Sequence, residues 1–216
     1  MTIEEFRVVE PPDNGYNDDM VDDQLTVVGV VLAAGTSSRF GEPNKLLTEW
    51  EDAPLVSHVV ETLLESVVDE IVVVVGDDAK RMRTAVSDFE ATVVYNYQYA
   101  AGQATSVRRG IEAARDHGAD AAIFALGDMP TVEADSLDLL VDAYRAGVGD
   151  ALAAAFNGVR GNPVLFDRDH FDALAETTGD TGGREILCDD DGAVLVETGD
   201  CGVLVDVDSP DDMAKL

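Results

Sequence analysis

Apolar residues in this chain fall into short, mostly β-branched or small-residue runs, separated by segments in which they recur at every third or fourth position. The runs are residues 27–32 (VVGVVL), 70–75 (EIVVVV), 91–95 (ATVVY), 121–126 (AAIFAL) and 151–156 (ALAAAF). Near-continuous apolar strands of this kind are buried on both faces, as in a parallel sheet. Between them, Val56, Val59, Val60, Leu63, Leu64 and Val67 keep helical spacing after Pro54, a residue suited to a helix start. Further helices are expected over 78–87, 104–117 and 133–145, and a hairpin or turn over 50–53. Strands and helices that alternate with short connections predict right-handed βαβ units and a mostly parallel central sheet.

Towards the C-terminus the pattern is less clean. A turn over 158–163 is expected to lead into a short strand at 164–166. A helix near 169–176 follows, then the glycine-rich stretch 179–184, a short helix, strands at 193–197 and 202–205, and a last helix after Asp208-Ser209-Pro210. Residues 1–24 hold two prolines, many acids and few large apolar side chains after Val9. They read as an acidic mobile tail, leaving 25–216 as one domain.

Charge narrows the choice of partner. With 44 acidic and 14 basic residues the net charge is −30, which repels nucleic acid and anionic membrane, so neither is expected as a partner. Together with a count of only three lysines, this reads as a surface adapted to high salt, where screening removes self-repulsion. No apolar run is long enough to span a bilayer, and a soluble, cytoplasmic protein is expected. Cys188 and Cys201 stand singly and His58, His117 and His170 form no ligand pattern. Zinc and thiol chemistry therefore have no support.

The chemistry concentrates where the first strand ends. Ala33, Ala34 and Gly35 remove side-chain bulk, so backbone N–H groups can approach a ligand closely. Thr36, Ser37 and Ser38 add hydroxyls, Arg39 a planar cationic fork and Lys45 a point charge, which together suit a polyphosphate. The glycines, Gly35 and Gly41, fit neither G-x-G-x-x-G nor G-x-x-x-x-G-K-[ST]. In a parallel sheet the ligand crevice lies beyond the carboxyl ends of the strands, so the loops after the first, third and fourth strands should meet. In the last of these Asp128 stands between Gly127 and Met129-Pro130. It suits a magnesium ligand or, taken alone, a helix cap; paired with the first loop, the metal is favoured.

The segment from Leu32 to Lys45 resembles the signature loop of the nucleotidyltransferase superfamily, L-A-x-G-x-S-x-R-hydrophobic-G with a downstream lysine. It is closest to the MobA-like branch that includes molybdenum cofactor cytidylyltransferases. The match falls on Leu32, Ala33, Gly35, Ser37, Arg39, Gly41 and Lys45, with the spacing from Phe40 to Lys45 one residue longer than the commonest form. The resemblance runs from Val27 to the C-terminus. It implies a Rossmann-like three-layer α/β/α fold of the nucleotide-diphospho-sugar transferase type and nucleotidyl transfer to a phosphate acceptor, molybdopterin foremost, with release of pyrophosphate.

It also implies roles for residues. Leu32, Ala33, Ala34, Gly35, Ser37, Arg39, Lys45, Gly102 and Ser106 would bind the nucleotide, and Arg39, Lys45 and Asp128 would be catalytic. Asp128, in the G-D-x-P pattern, would hold magnesium. Alanine at position 34, where guanylyltransferases tend to show glycine, leans towards CTP over GTP. Asn162, Gly182 and Arg184 fall in segments that line the acceptor side. Asp206 or Asp208 resembles a second metal contact, with helix capping by Asp208 and Ser209 the alternative. Arg108 and Arg109 are expected to be solvated or ion-paired. The rival functions are transfer to a sugar phosphate or another small phosphate, a glycosyltransferase, and a non-catalytic nucleotide-binding protein.

Overall fold

In chain order the strands are β1 (Arg7–Val9), β2 (Val27–Ala33), β3 (Glu49–Trp50), β4 (Ala53–Pro54), β5 (Glu70–Val75), β6 (Thr92–Tyr95), β7 (Ala121–Leu126), β8 (Ala151–Phe156), β9 (Val159–Asp167) and β10 (Val194–Glu197). The helices are α1 (Leu55–Glu65), α2 (Ala79–Ala85), α3 (Gln103–Asp116), α4 (Ala134–Arg145), α5 (Phe171–Glu176), α6 (Arg184–Asp189) and α7 (Pro210–Met213). The computed structural model describes every residue except 1–5, 12–21, 23, 38, 39, 41–43, 181, 182, 190, 191 and 215.

The valines of β2 alternate between two cores. Val27 and Val31 pack into one, Val28 and Val30 into the other, because successive strand side chains point to opposite faces. A strand apolar on both faces has to be central, and β2 pairs in parallel with β5 on one side and β7 on the other. The whole eight-stranded sheet runs β1-β10-β8-β9-β7-β2-β5-β6. β9 is antiparallel to both its neighbours; the remaining pairs of the sheet are parallel. Val56, Val60 and Leu63 of α1, Met82 of α2 and Leu137 and Leu140 of α4 cover one face. Val107 and Ile111 of α3, Phe171 and Leu174 of α5 and Leu187 of α6 cover the other. This is the mostly parallel three-layer α/β/α arrangement expected from the sequence.

Three stretches depart from the sequence reading. Arg7–Val9, assigned above to the tail, adds an edge strand parallel to β10, with Arg7 opposite Val194 and Val9 opposite Val196. Three residues carry too weak a pattern to be read alone; the sheet edge supplies their hydrogen bonds. The turn expected over 158–163 shrinks to Asn157-Gly158, and β9 begins at Val159. Pro163 was the misleading signal, since proline lacks a ladder donor. Residues 202–205, expected as a strand, are mostly a 3-10 turn, Cys201–Leu204.

Candidate nucleotide-binding and metal site

The chain leaves β2 towards β5 on one side and comes back through β7 on the other. A crevice opens at such a reversal, beyond the carboxyl ends of the strands. Ala34, Gly35 and Ser37 follow β2 there, and Asp128 follows β7. Asn44, almost fully buried, ties the first loop down: Nδ2 donates to the Gly35 carbonyl at 3.4 Å, and Oδ1 accepts from Ser37 Oγ at 2.9 Å and from the Leu46 N–H at 3.1 Å. The last bond caps the 3-10 turn Lys45–Leu47 and aims Lys45 across the crevice. Lys45 Nζ lies 2.6 Å from Asp128 Oδ2 and 3.0 Å from Asp208 Oδ1.

A C-terminal strap brings the second acid. Asp200, buried, accepts at Oδ2 from the Glu133 N–H (3.0 Å) and Ser136 Oγ (2.9 Å), and at Oδ1 from the Gly202 N–H (2.6 Å). Gly202 passes so close that a Cβ there would sit 2.2 Å from the Thr131 carbonyl oxygen. The strap then runs beside β7, where the Val207 N–H donates to the Asp128 carbonyl at 2.9 Å. Val207 is fully buried, so the acids on either side of it are left facing outwards. Carboxylate oxygens of Asp128, Asp206 and Asp208 all lie within 4.8 Å of one another.

These residues fit a divalent cation. Asp128 Oδ1 is buried and has no hydrogen-bond partner among the described residues, a costly state for a carboxylate oxygen unless a cation completes it. Burial pushes the Asp206 carboxyl up, and the carboxylates of Asp208 and Asp128 push it further. Burial alone would depress the Lys45 ammonium, but the charges and hydrogen bonds of Asp128 and Asp208 outweigh it and raise its pKa. Three hard oxygen donors on one side of a crevice suit magnesium or manganese. The sequence named Asp208 as metal contact or cap; the capping box of α7 is made by Ser209 and Asp212, and Asp208 faces Lys45.

The third loop docks on the segment around Gly179 and Asp180. Gly102 has φ 110°, and a Cβ on it would lie 2.5 Å from the Gly179 carbonyl oxygen, so only glycine allows the approach. That carbonyl accepts from the Ala104 N–H at 3.0 Å, and Asp180 Oδ1 accepts from the Gln103 N–H at 3.2 Å, which caps α3. Arg108, half-buried, has no ion pair among the described residues; its Nε and Nη2 donate to the carbonyls of Ala175 (2.6 Å) and Thr177 (3.3 Å), holding the same segment. Arg109 does pair with Glu112, at 3.0 Å.

Two adjoining cavities result. One of about 630 Å³ gathers Leu32, Ala34, Gly35, Ser37, Lys45, Gly102, Ser106 and Asp128 from the sequence reading, together with Tyr99, Asp180 and Asp208. Ala33 differs: it is fully buried and packs into the core on the far face of β2. The second, about 310 Å³, holds Asn162 and Arg184 beside Arg160, walled by Phe124, Val164, Phe166, Leu174 and Leu187. Leu32, Gln103, Leu126 and Asp180 line both. Arg39 and Gly182 lie outside the described residues.

The fold and this crevice are those of a nucleotidyltransferase-type α/β protein. Residues 29–193 match the model of the MobA-like NTP transferase domain, and the chain belongs to that family. It is similar to nicotine blue oxidoreductase of Paenarthrobacter nicotinovorans, 29% identical over 88% of this chain and 96% of that one. It is also similar to molybdenum cofactor cytidylyltransferase of Escherichia coli K12, 25% identical over 85% and 91%. Among solved structures, Rv0371c of Mycobacterium tuberculosis H37Rv in complex with manganese superposes with a TM-score of 0.74 at 27% identity, covering 88% of this chain and 97% of that one. Among the described residues no helix is long and apolar enough to cross a membrane.

Proposed function

We propose that the protein moves a nucleoside monophosphate, CMP in preference to GMP, from its triphosphate to the terminal phosphate of a small acceptor, molybdopterin foremost, and releases pyrophosphate. The observation that carries this is Lys45 Nζ held between Asp128 and Asp208 beside a polar cavity that the small-residue loop after β2 helps to line.

In this reading the base lies against Ala34 and Ser106, and the phosphates run past Gly35 and Ser37 towards Lys45. Arg39 holds the β- and γ-phosphates, and Lys45 stabilises charge gathering on the α-phosphoryl oxygens. Asp128, Asp206 and Asp208 would hold a magnesium ion, which would supply charge neutralisation to the polyphosphate. The acceptor phosphate is already an oxyanion, so its attack on the α-phosphorus needs no general base. Leucine, phenylalanine and valine walls with Asn162 and two arginines suit an acceptor with a flat ring face, a polar edge and an anionic end. This favours a pterin over a sugar phosphate, which has no flat face to lay against those walls. The C-terminal position of the acids, with Lys45 between two of them, favours nucleotidyl over glycosyl transfer.

Incubation with CTP or GTP, magnesium and molybdopterin in strong salt should release pyrophosphate, and a panel of sugar phosphates should be used less well. The family relative named as an oxidoreductase favours a second reading through the same cleft, so the same preparation is also offered an electron donor. Consumption of that donor without pyrophosphate release would replace the first reading by the second.

A further inference from the structure

Ser37 stands in the loop after β2 with φ 48°, a left-handed conformation that a serine rarely takes without a local partner. Its partner is Asn44. One atom of that amide accepts from the Leu46 N–H at 3.1 Å; a backbone N–H can only donate, so this atom is the oxygen, Oδ1. The Ser37 hydroxyl, 2.9 Å from the same oxygen, donates to it. A hydroxyl has a single proton, so while this bond stands Ser37 has none to give to a phosphate. Gly35, Thr36 and Ser37 all line the larger cavity, and their backbone N–H groups have no acceptor among the described residues.

We propose that Asn44 is a positioning residue that builds the phosphate cradle and joins it to Lys45. By taking the Ser37 proton it holds the left-handed turn, which leaves three successive amide hydrogens for an anion in the cavity. The same amide oxygen starts the 3-10 turn that opens with Lys45. One buried side chain, 7% exposed and absent from the cavity lining, thus sets both the backbone that meets the polyphosphate and the cation beside it. The Ser37 hydroxyl shapes the loop, and the backbone binds. The inference rests on the reading of the larger cavity as a triphosphate site, but not on the base, the acceptor or turnover.

The test is calorimetric binding of inorganic tripolyphosphate, CTP and GTP, each with magnesium in strong salt, to the full chain and its variants. Ser37→Ala and Ser37→Gly both remove the hydroxyl, but glycine takes φ 48° freely and alanine does not. Ser37→Ala should therefore bind all three ligands about tenfold less well, and Ser37→Gly about threefold or less. A hydroxyl that donated directly to a phosphate would make the two losses equal, and equal losses would overturn the inference. Asn44→Ala should cost about thirtyfold, because it frees the Lys45 turn as well as the loop. Adding Ser37→Ala to it should cost nothing more, and in a Lys45→Met background its excess over Ser37→Ala should vanish. Fully additive losses in either pair, a loss confined to one nucleotide, or a lower melting temperature with unchanged affinities would each overturn the inference. If Asn44→Ala does not fold, the contrast between alanine and glycine at position 37 decides alone. A protein that shows this pattern with tripolyphosphate yet transfers nothing would leave the inference standing and remove the proposed reaction. Binding of none of the three would end both.

Discussion

The two cavities share a wall and are built in opposite ways. The larger is formed by backbone and polar termini of loops: Gly35 and Ser37 after β2, Gly102 and Ser106 at the start of α3, Asp128 after β7. The smaller is formed by side chains standing on the sheet and on helices: Phe124 of β7, Val164 and Phe166 of β9, Leu174 of α5 and Leu187 of α6. The first offers charge and backbone groups throughout; the second offers apolar walls with Arg160, Asn162 and Arg184 set among them. In the proposed transfer the triphosphate and the phosphate at the end of the acceptor would meet over Leu32, Leu126 and Asp180, which line both spaces.

If that division holds, the largest effect falls where charge is handled. Asp128→Asn should lower pyrophosphate release about 10³-fold while the melting temperature stays close to that of the unmutated protein; near-normal turnover would refute the metal assignment. Lys45→Met should cost about 10²-fold to 10³-fold, mostly in kcat. On the other side, Arg184→Ala should raise the acceptor KM about tenfold and leave the KM for CTP unchanged. Equal changes in both constants would show that the two spaces do not act separately.

The same contrast decides what could be read from the sequence. The larger cavity was legible because each of its parts is local: a strand, then small residues, then a charge, with the sheet rule bringing three such loops together. The members left open or unread are the ones that depend on distance in the chain. The sequence reads Asp206 or Asp208 as a metal contact or, for Asp208 with Ser209, a cap; Asp208 reaches Lys45 because Val207 is buried and its N–H is bound to Asp128, while the capping falls to Ser209 with Asp212. Asn44 and Asn96 look like ordinary loop residues, yet each is buried and makes three side-chain hydrogen bonds. Of the smaller cavity, Asn162 and Arg184 were visible in glycine-rich segments, but no pattern in the sequence joins them to Phe124 or Leu187. The β9 strand that does so was shortened in the reading by its proline.

The strap itself gives a smaller, purely structural effect. Asp200→Ala removes one buried acceptor shared by Glu133, Ser136 and Gly202 and should cost about 2–3 kcal/mol, a fall of roughly 5–10 °C in melting temperature. Because it loosens Asp206 and Asp208 but not the apolar cavity, turnover should fall with an unchanged acceptor KM.

The smallest effect sharpens the charged side alone. Burial and the carboxylates of Asp208 and Asp128 raise the folded-state pKa of Asp206, so the folded chain binds that proton more tightly than the unfolded chain does. The sign follows from linkage: with no divalent cation, this group's contribution to stability is full below its unfolded pKa and is lost as the pH rises through its folded pKa. A cation reverses the balance, since it needs the charged carboxylates and removes their mutual repulsion. The rise in melting temperature produced by magnesium or manganese should therefore be largest at neutral pH and shrink as the pH falls through the Asp206 transition. Asp206→Asn should reduce the rise at neutral pH and flatten its pH dependence, measured by thermal unfolding with and without the metal in strong salt. A cation effect that persists undiminished at acid pH, or is unchanged in Asp206→Asn, would place the ion elsewhere.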